Sequence, residues 1–234
     1  MKMNKHTLFH FSDIDSIKLI LKDMGFKASY CKETITNSNY ITKGGIQHDY
    51  SIPVVSFTDL TSTSILNYKS TYGNCAIGMN IEWGKKEGLN PVLYLEKNSK
   101  ISQSIAVILS HLKKPGIPKS LDSAATTLMQ SIKNYEGSHK NQPFNHYEEQ
   151  EWRFIAITEE NKTYPPYVYT DTEGCDKLKS FNSKPHLKEN EFLLKFEVDD
   201  IDCIIIDYEI RKALIIDYFK KDGLFQLIDK VKII

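Results

Sequence analysis

The chain has 234 residues, 41% hydrophobic and 26% charged, with 11 Gly and 8 Pro. These proportions exclude disordered, collagenous and disulfide-scaffold classes and leave enough apolar mass for a sizeable core. Thirty basic and thirty acidic side chains cancel, so no global field draws the protein to nucleic acid or to an anionic membrane, and the pairs Lys113-Lys114 and Lys220-Lys221 read as solvated surface.

Met1 to His10 lacks the apolar run of a secretion signal, and no stretch reaches the roughly 18 consecutive apolar residues of a membrane span. The sequence therefore predicts a cytosolic protein with no membrane partner. Cys31, Cys75, Cys175 and Cys203 form no CxxC pair, and the seven histidines show no HExxH or HxH spacing. Reduced structural thiols and no metal are expected.

In chain order, Leu8 to Phe11 is a short strand, and Ser12 to Asp15 has the S-x-x-D form of a capped helix start. Ile14, Ile17, Ile20, Leu21 and Met24 then repeat at helical spacing, and Gly25 stands where a left-handed cap is wanted. Ala28 to Tyr50 reads as loop with one poorly formed strand. Pro53 to Phe57 is a strand opened by proline, and a short helix starts near Leu60. Cys75 to Met79 is a strand whose Gly78 marks a bulge or a close approach. Asn80 caps a short helix through Lys86, ended by Gly88, and Val92 to Leu95 is another strand.

Two helices, Ile101–Leu112 and Ser120–Tyr135, flank a Lys-Pro-Gly-Ile-Pro breaker and form a helical insert at about 100–135. Glu151–Thr158 reads as a strand and Lys162–Pro166 as a turn. Leu193–Val198 and Cys203–Ile206 are strands, the second buried on both faces. A helix from Glu209 to Lys220 and a strand at Val231–Ile234 complete the chain. The fold class expected is α+β: one domain over 1–234, with a mixed, mainly antiparallel core of about six to eight strands and peripheral helices.

The sharpest chemical feature is Tyr147-Glu148-Glu149-Gln150-Glu151-Trp152-Arg153. Strand alternation puts Glu149, Glu151 and Arg153 on one face. A solvent-facing stripe would be an ordinary charged edge, whereas a cleft would drive the two carboxylate pKa values apart and aim one acid at a polarised group. His10, between two phenylalanines and just before a helix start, is either a satisfied strand histidine or a donor to a ribose or phosphate. Ser56-Phe57-Thr58-Asp59 is either a turn or a ligand contact. No GxGxxG, GxxxxGK[ST] or GxSxG motif is present.

The segments LFHFSDIDSIKLILKDMGF, IPVVSFTDL, YGNCAIGMNIEWGKKEGLNPVLYL and EEQEWRFIAI, in that order, resemble the AbiGi family of abortive phage-resistance proteins over residues 8–95 and 147–158. The resemblance implies the antitoxin half of a phage-exclusion system and an AbiGii-like toxin as partner, and leaves open whether the target is protein or nucleic acid. The chain is also distantly similar to the ADP-ribosyltransferase superfamily, through His10 on an early strand and Glu149-x-Glu151 on a late one. That likeness implies an ADP-ribosyltransferase-like fold, NAD as cofactor and catalytic roles for Glu151, Glu149 and His10. Ser56, Phe57, Tyr72 and Arg153 would be ligand-binding, although neither Ser56-Phe57-Thr58 nor Tyr72 matches the superfamily's middle motif.

Overall fold

The computed structural model describes residues 6–37, 46–60, 72–109, 115–139, 142–156, 168–169 and 193–233. Strand β1 (Thr7–Ser12) leads into helix α1 (Ile14–Asp23). The cap is Asp13, one residue past the expected Ser12. Its carboxylate accepts from the Asp15 and Ser16 amides at 3.0 and 2.8 Å, covering two donors that a helix start leaves open. The left-handed residue that ends α1 is Met24 (φ 46°), not Gly25. Gly25 instead opens β2 (Gly25–Lys27), where a Cβ would lie 2.5 Å from Leu193 Cγ on the paired strand β13 (Leu193–Lys195).

The region expected to be loop is largely a long hairpin, with β3 (Ser29–Asn37) antiparallel to β4 (Ile46–Asp59). Periodicity hid β3 because one of its sides faces a polar cavity instead of an apolar core. Pro53 lies inside β4, where pairing along β4 passes from β12 (Val168–Tyr169) to β11 (Glu151–Ile155). The helix expected beyond Leu60, the turn at 162–166 and Cys175 lie outside the described residues.

Strand β5 (Cys75–Asn80) runs into α2 (Ile81–Lys86), and the Asn80 side chain accepts from the Glu82 amide at 2.8 Å. Gly78 permits a close approach: a Cβ there would meet Thr7, Cys203 and Phe9 side chains at 2.8 to 2.9 Å. After β6 (Asn90–Pro91) and β7 (Leu93–Leu95) come α3 (Lys100–Leu109) and α4 (Lys119–Gln130). The second helix stops at Gln130, short of the expected Tyr135, because Ile132–Asn134 forms β8, paired in parallel with β7. A hairpin, β9 (Glu136–His139) and β10 (Gln142–Asn145), and a 3₁₀ turn (His146–Glu149) lead into β11. Strand β14 (Ile201–Ile206), helix α5 (Glu209–Lys221) and β15 (Val231–Ile233) follow.

The architecture is mixed α+β. Its main sheet has nine strands in the order β15-β14-β5-β1-β4-β11-β6, with β3 and β12 also on β4. Every pairing in it is antiparallel except β14 with β15. The largest apolar cluster joins Ile17 and Leu21 of α1, Trp83 of α2 and Ile215 and Phe219 of α5 to Leu8, Phe57, Ile77 and Ile204 of the sheet. A second cluster seats Ile105 and Leu109 of α3 and Met129 of α4 against Tyr50, Ile52 and Val54 of β4.

The sheet is split next to β4. Strand β1 pairs with β4 only through Leu8 with Asp59 and Phe9 with Thr58, while β3 takes up β4 at Val54. Beside the intervening Val55-Ser56-Phe57, the imidazole of His10 supplies a bond, its Nδ1 lying 2.9 Å from the Ser56 carbonyl oxygen.

Candidate functional site

A cavity of about 840 Å³ opens at this split, within the usual size range of small-molecule sites. His10, Ser56, Phe57, Tyr72, Glu149 and Glu151, all singled out from the sequence, line it. Arg153 does not line it. Its side chain, 2% exposed, lies behind the wall and is bonded throughout to protein atoms.

The two acids converge by a different local route from the one expected. Glu149 is the last residue of the 3₁₀ turn, which Asn145 caps by accepting from the Tyr147 amide at 3.1 Å. Gln150 then takes a left-handed conformation (φ 44°), and only Glu151 begins the strand. Thr58 donates to the Glu149 carbonyl, and the Glu151 amide donates to Tyr94 Oη at 2.8 Å, so the turn is held on both sides.

Along β11 the charged Glu151 and Arg153 are more buried than Trp152 and Phe154. Burying charge is tolerated only with full pairing. Glu151 meets that condition: Oε1 accepts from Ser56 Oγ and Arg153 Nε, both at 2.7 Å, and Oε2 accepts from Lys133 Nζ at 3.0 Å and Arg153 Nη2 at 3.1 Å. All four of its lone-pair directions are used. Lys133 also donates to Glu149 Oε2 at 2.5 Å, and Tyr72 Oη donates to Glu149 Oε1. Arg153 extends the network to the Gln130 carbonyl at 3.2 Å and to Glu33 Oε1.

Burial opposes ionisation of Glu151, but Arg153 and Lys133 outweigh it and hold the carboxyl down at about 2. Glu149 is lowered too: burial works against its charge, and His146, Lys133 and Tyr72 win. Lys133 is raised because Glu151, Glu33 and Glu149 more than offset its own burial. Burial pushes the Tyr72 phenol up, with Glu149 adding to the effect. His10 is lowered by burial, only partly offset by the Ser56 carbonyl. A carbonyl only accepts, so Nδ1 carries the proton and Nε2 is left as an acceptor.

Lys133, Glu33 and His146 were not foreseen. Lys133 was assigned to the end of a helix, where its alignment with Glu149 and Glu151 is invisible. The alternation of Ile35 with Thr34 and Thr36 was the one local hint that Glu33 sits on a strand. His146 Nδ1 is 3.6 Å from Glu149 Oε1, and the ring packs so close to Gly137 that a Cβ there would lie 2.6 Å from Nε2. Among the described residues, no group of three or more His, Cys, Asp or Glu side chains is arranged to hold a metal ion, and Cys31, Cys75 and Cys203 are not in disulfides. No helix there is long and apolar enough to cross a membrane.

A protein of Lactococcus lactis subsp. cremoris named abortive phage resistance protein AbiGi is 24% identical over 221 residues, covering 85% of this chain and 88% of its own length. No solved structure matches the chain significantly. A family model described as abortive phage resistance protein AbiGi, antitoxin, matches residues 25–207, a span that includes β3, the helical insert, the paired acids and all of β14. The chain belongs to the AbiGi family of abortive phage resistance proteins, an antitoxin family.

Proposed function

We propose that this chain neutralises a toxin in an abortive-infection pair by binding it, with an AbiGii-like protein as the partner, and that its charged network shapes a recognition surface instead of a reaction centre. The saturation of Glu151 carries this reading. A transferase acid must offer a carboxylate oxygen to the substrate sugar where positive charge develops, whereas both Glu151 oxygens are engaged by Ser56, Lys133 and Arg153. Co-expression with an AbiGii-like toxin, followed by size-exclusion chromatography with light scattering, tests it. A stable complex that protects cells is expected; free proteins and no protection would end this reading.

The convergence of His10, Tyr72, Glu149 and Glu151 on one cavity favours a second reading, an ADP-ribosyltransferase-like fold holding NAD. His10 Nε2 would accept from a ribose hydroxyl, Phe57 would face the nicotinamide, and Glu151 would exchange its Ser56 bond for the 2′-hydroxyl. The ribose C1′–nitrogen bond would break with departure of nicotinamide, and the acceptor would add at C1′. Incubation with labelled NAD decides between the readings. Transfer or hydrolysis that is lost in Glu151→Gln would replace the first with the second.

A further inference from the structure

Glu33, Glu149 and Glu151 line the cavity and share two cations, Lys133 on its wall and Arg153 behind it, and the shortfall falls on Glu33. Lys133 is spent on Glu149 and Glu151. Arg153 gives Nε to Glu151 and Nη1 to the Gln130 carbonyl, leaving Nη2 to divide itself between Glu151 and Glu33 Oε1. The Glu33 side chain is only 10% exposed and lines the cavity, and its Oε2 accepts no hydrogen bond from any described residue. Among the described residues the fully buried polar atoms without a partner are His146 Nδ1 and Asp207 Oδ1, so Glu33 Oε2 stands open to the cavity, where solvent or a guest can meet it.

We propose that the cavity takes a monocationic, hydrogen-donating group, a guanidinium or an amine, seated on the Glu33 oxygen that faces the cavity. Burial pushes the Glu33 carboxyl up, and a cationic guest beside it would oppose that shift. The rest of the wall suits such a guest. Phe11 and Phe57 offer aromatic surface, on which cations are favoured, and His10 presents an acceptor nitrogen. Lys32 and Lys97 also line the cavity but are exposed, where solvent and salt screen them. This inference goes beyond partner binding and holds for the free chain.

The test titrates the full-length chain with N-acetylarginine amide, which carries a single charge, and with its neutral isostere N-acetylcitrulline amide. Both are followed by NMR at pH 8, above the ordinary range of histidine. The arginine compound is expected to bind at least about tenfold more tightly, a difference of ~1.4 kcal/mol, and to shift the His10 and Phe57 resonances of the wild-type protein. Glu33→Gln, checked for folding by thermal melting, is expected to erase the preference. Equal binding of the two compounds, shifts confined to other surfaces, or a preference that survives in Glu33→Gln would each overturn the proposal. Excess arginine amide added to the toxin complex then assigns the source: dissociation points to a side chain of the partner, an intact complex to a small cation.

Discussion

The two halves of the main sheet are held together by different physics. In β5 and β14, every residue from Cys75 to Met79 and from Cys203 to Ile206 is buried, and the side chains alternate between two apolar clusters. In β4 and β11, by contrast, apolar residues such as Ile52, Val54 and Phe57 share the interior with Glu151 and Arg153, whose chain of paired charges borders a cavity. Losing a side chain from the first half leaves a void; losing one from the second leaves an orphaned charge. The apolar half can relax around its loss, and the charged half, where the cavity lies, cannot.

Arg153→Ala should show this contrast most strongly. It strands Glu151 and Glu33 in a buried setting and is expected to cost about 3–5 kcal/mol, read as a drop in the urea midpoint. Ile204→Ala, at a position 0% exposed in the apolar half, is expected to cost about 2–5 kcal/mol through lost transfer energy and a residual cavity. If Arg153→Ala turns out milder than Ile204→Ala, water enters the charged half freely and the contrast drawn here fails.

Acid should separate the halves without mutation. Glu151 has its carboxyl held at about 2 against an ordinary 4.5, so its contribution is complete above 4.5 and is lost as pH falls toward 2. Glu33, pushed the other way by burial, takes up a proton on folding and softens that loss. Urea midpoints measured from pH 6 down to pH 2 should therefore decline in the wild type and decline less in Glu151→Gln. The smallest effect belongs to Asp13→Ala, which removes the α1 cap from an exposed edge of the apolar half and should cost about 1 kcal/mol. Hydrogen exchange should localise that loss to α1 and leave β11 unchanged.

Where one face of an element is apolar, local pattern was enough. The helical spacing of Ile14, Ile17 and Leu21, the unbroken run Cys203–Ile206 and the Asn80 cap all correspond to elements of the structure. Where an element faces the cavity, pattern failed. Strand β3 reads as loop because Lys32-Glu33-Thr34, which borders the cavity, carries no apolar alternation, and β8 reads as the end of a helix because three residues are too few to show a period. At Gly25 the reason for a missing Cβ is a neighbour in space, Leu193, and not its own backbone angle, so the sequence alone does not reveal it.

By itself the sequence determined the class of the protein, its apolar strands and helices, and the fact that two acids stand just ahead of a tryptophan. Hydrophobic period and capping chemistry are properties of neighbours along the chain. Only the tertiary structure decided that His10 and Glu151 share a hollow, that Lys133 bridges the acids, and that Glu33, paired with Arg153, faces the same cavity. His10 and Glu151, like Glu33 and its partner Arg153, stand more than a hundred residues apart and are brought together by the pairing register of β4 with β1, β3 and β11, whereas Lys133 reaches acids 16 and 18 residues away from β8, paired with β7.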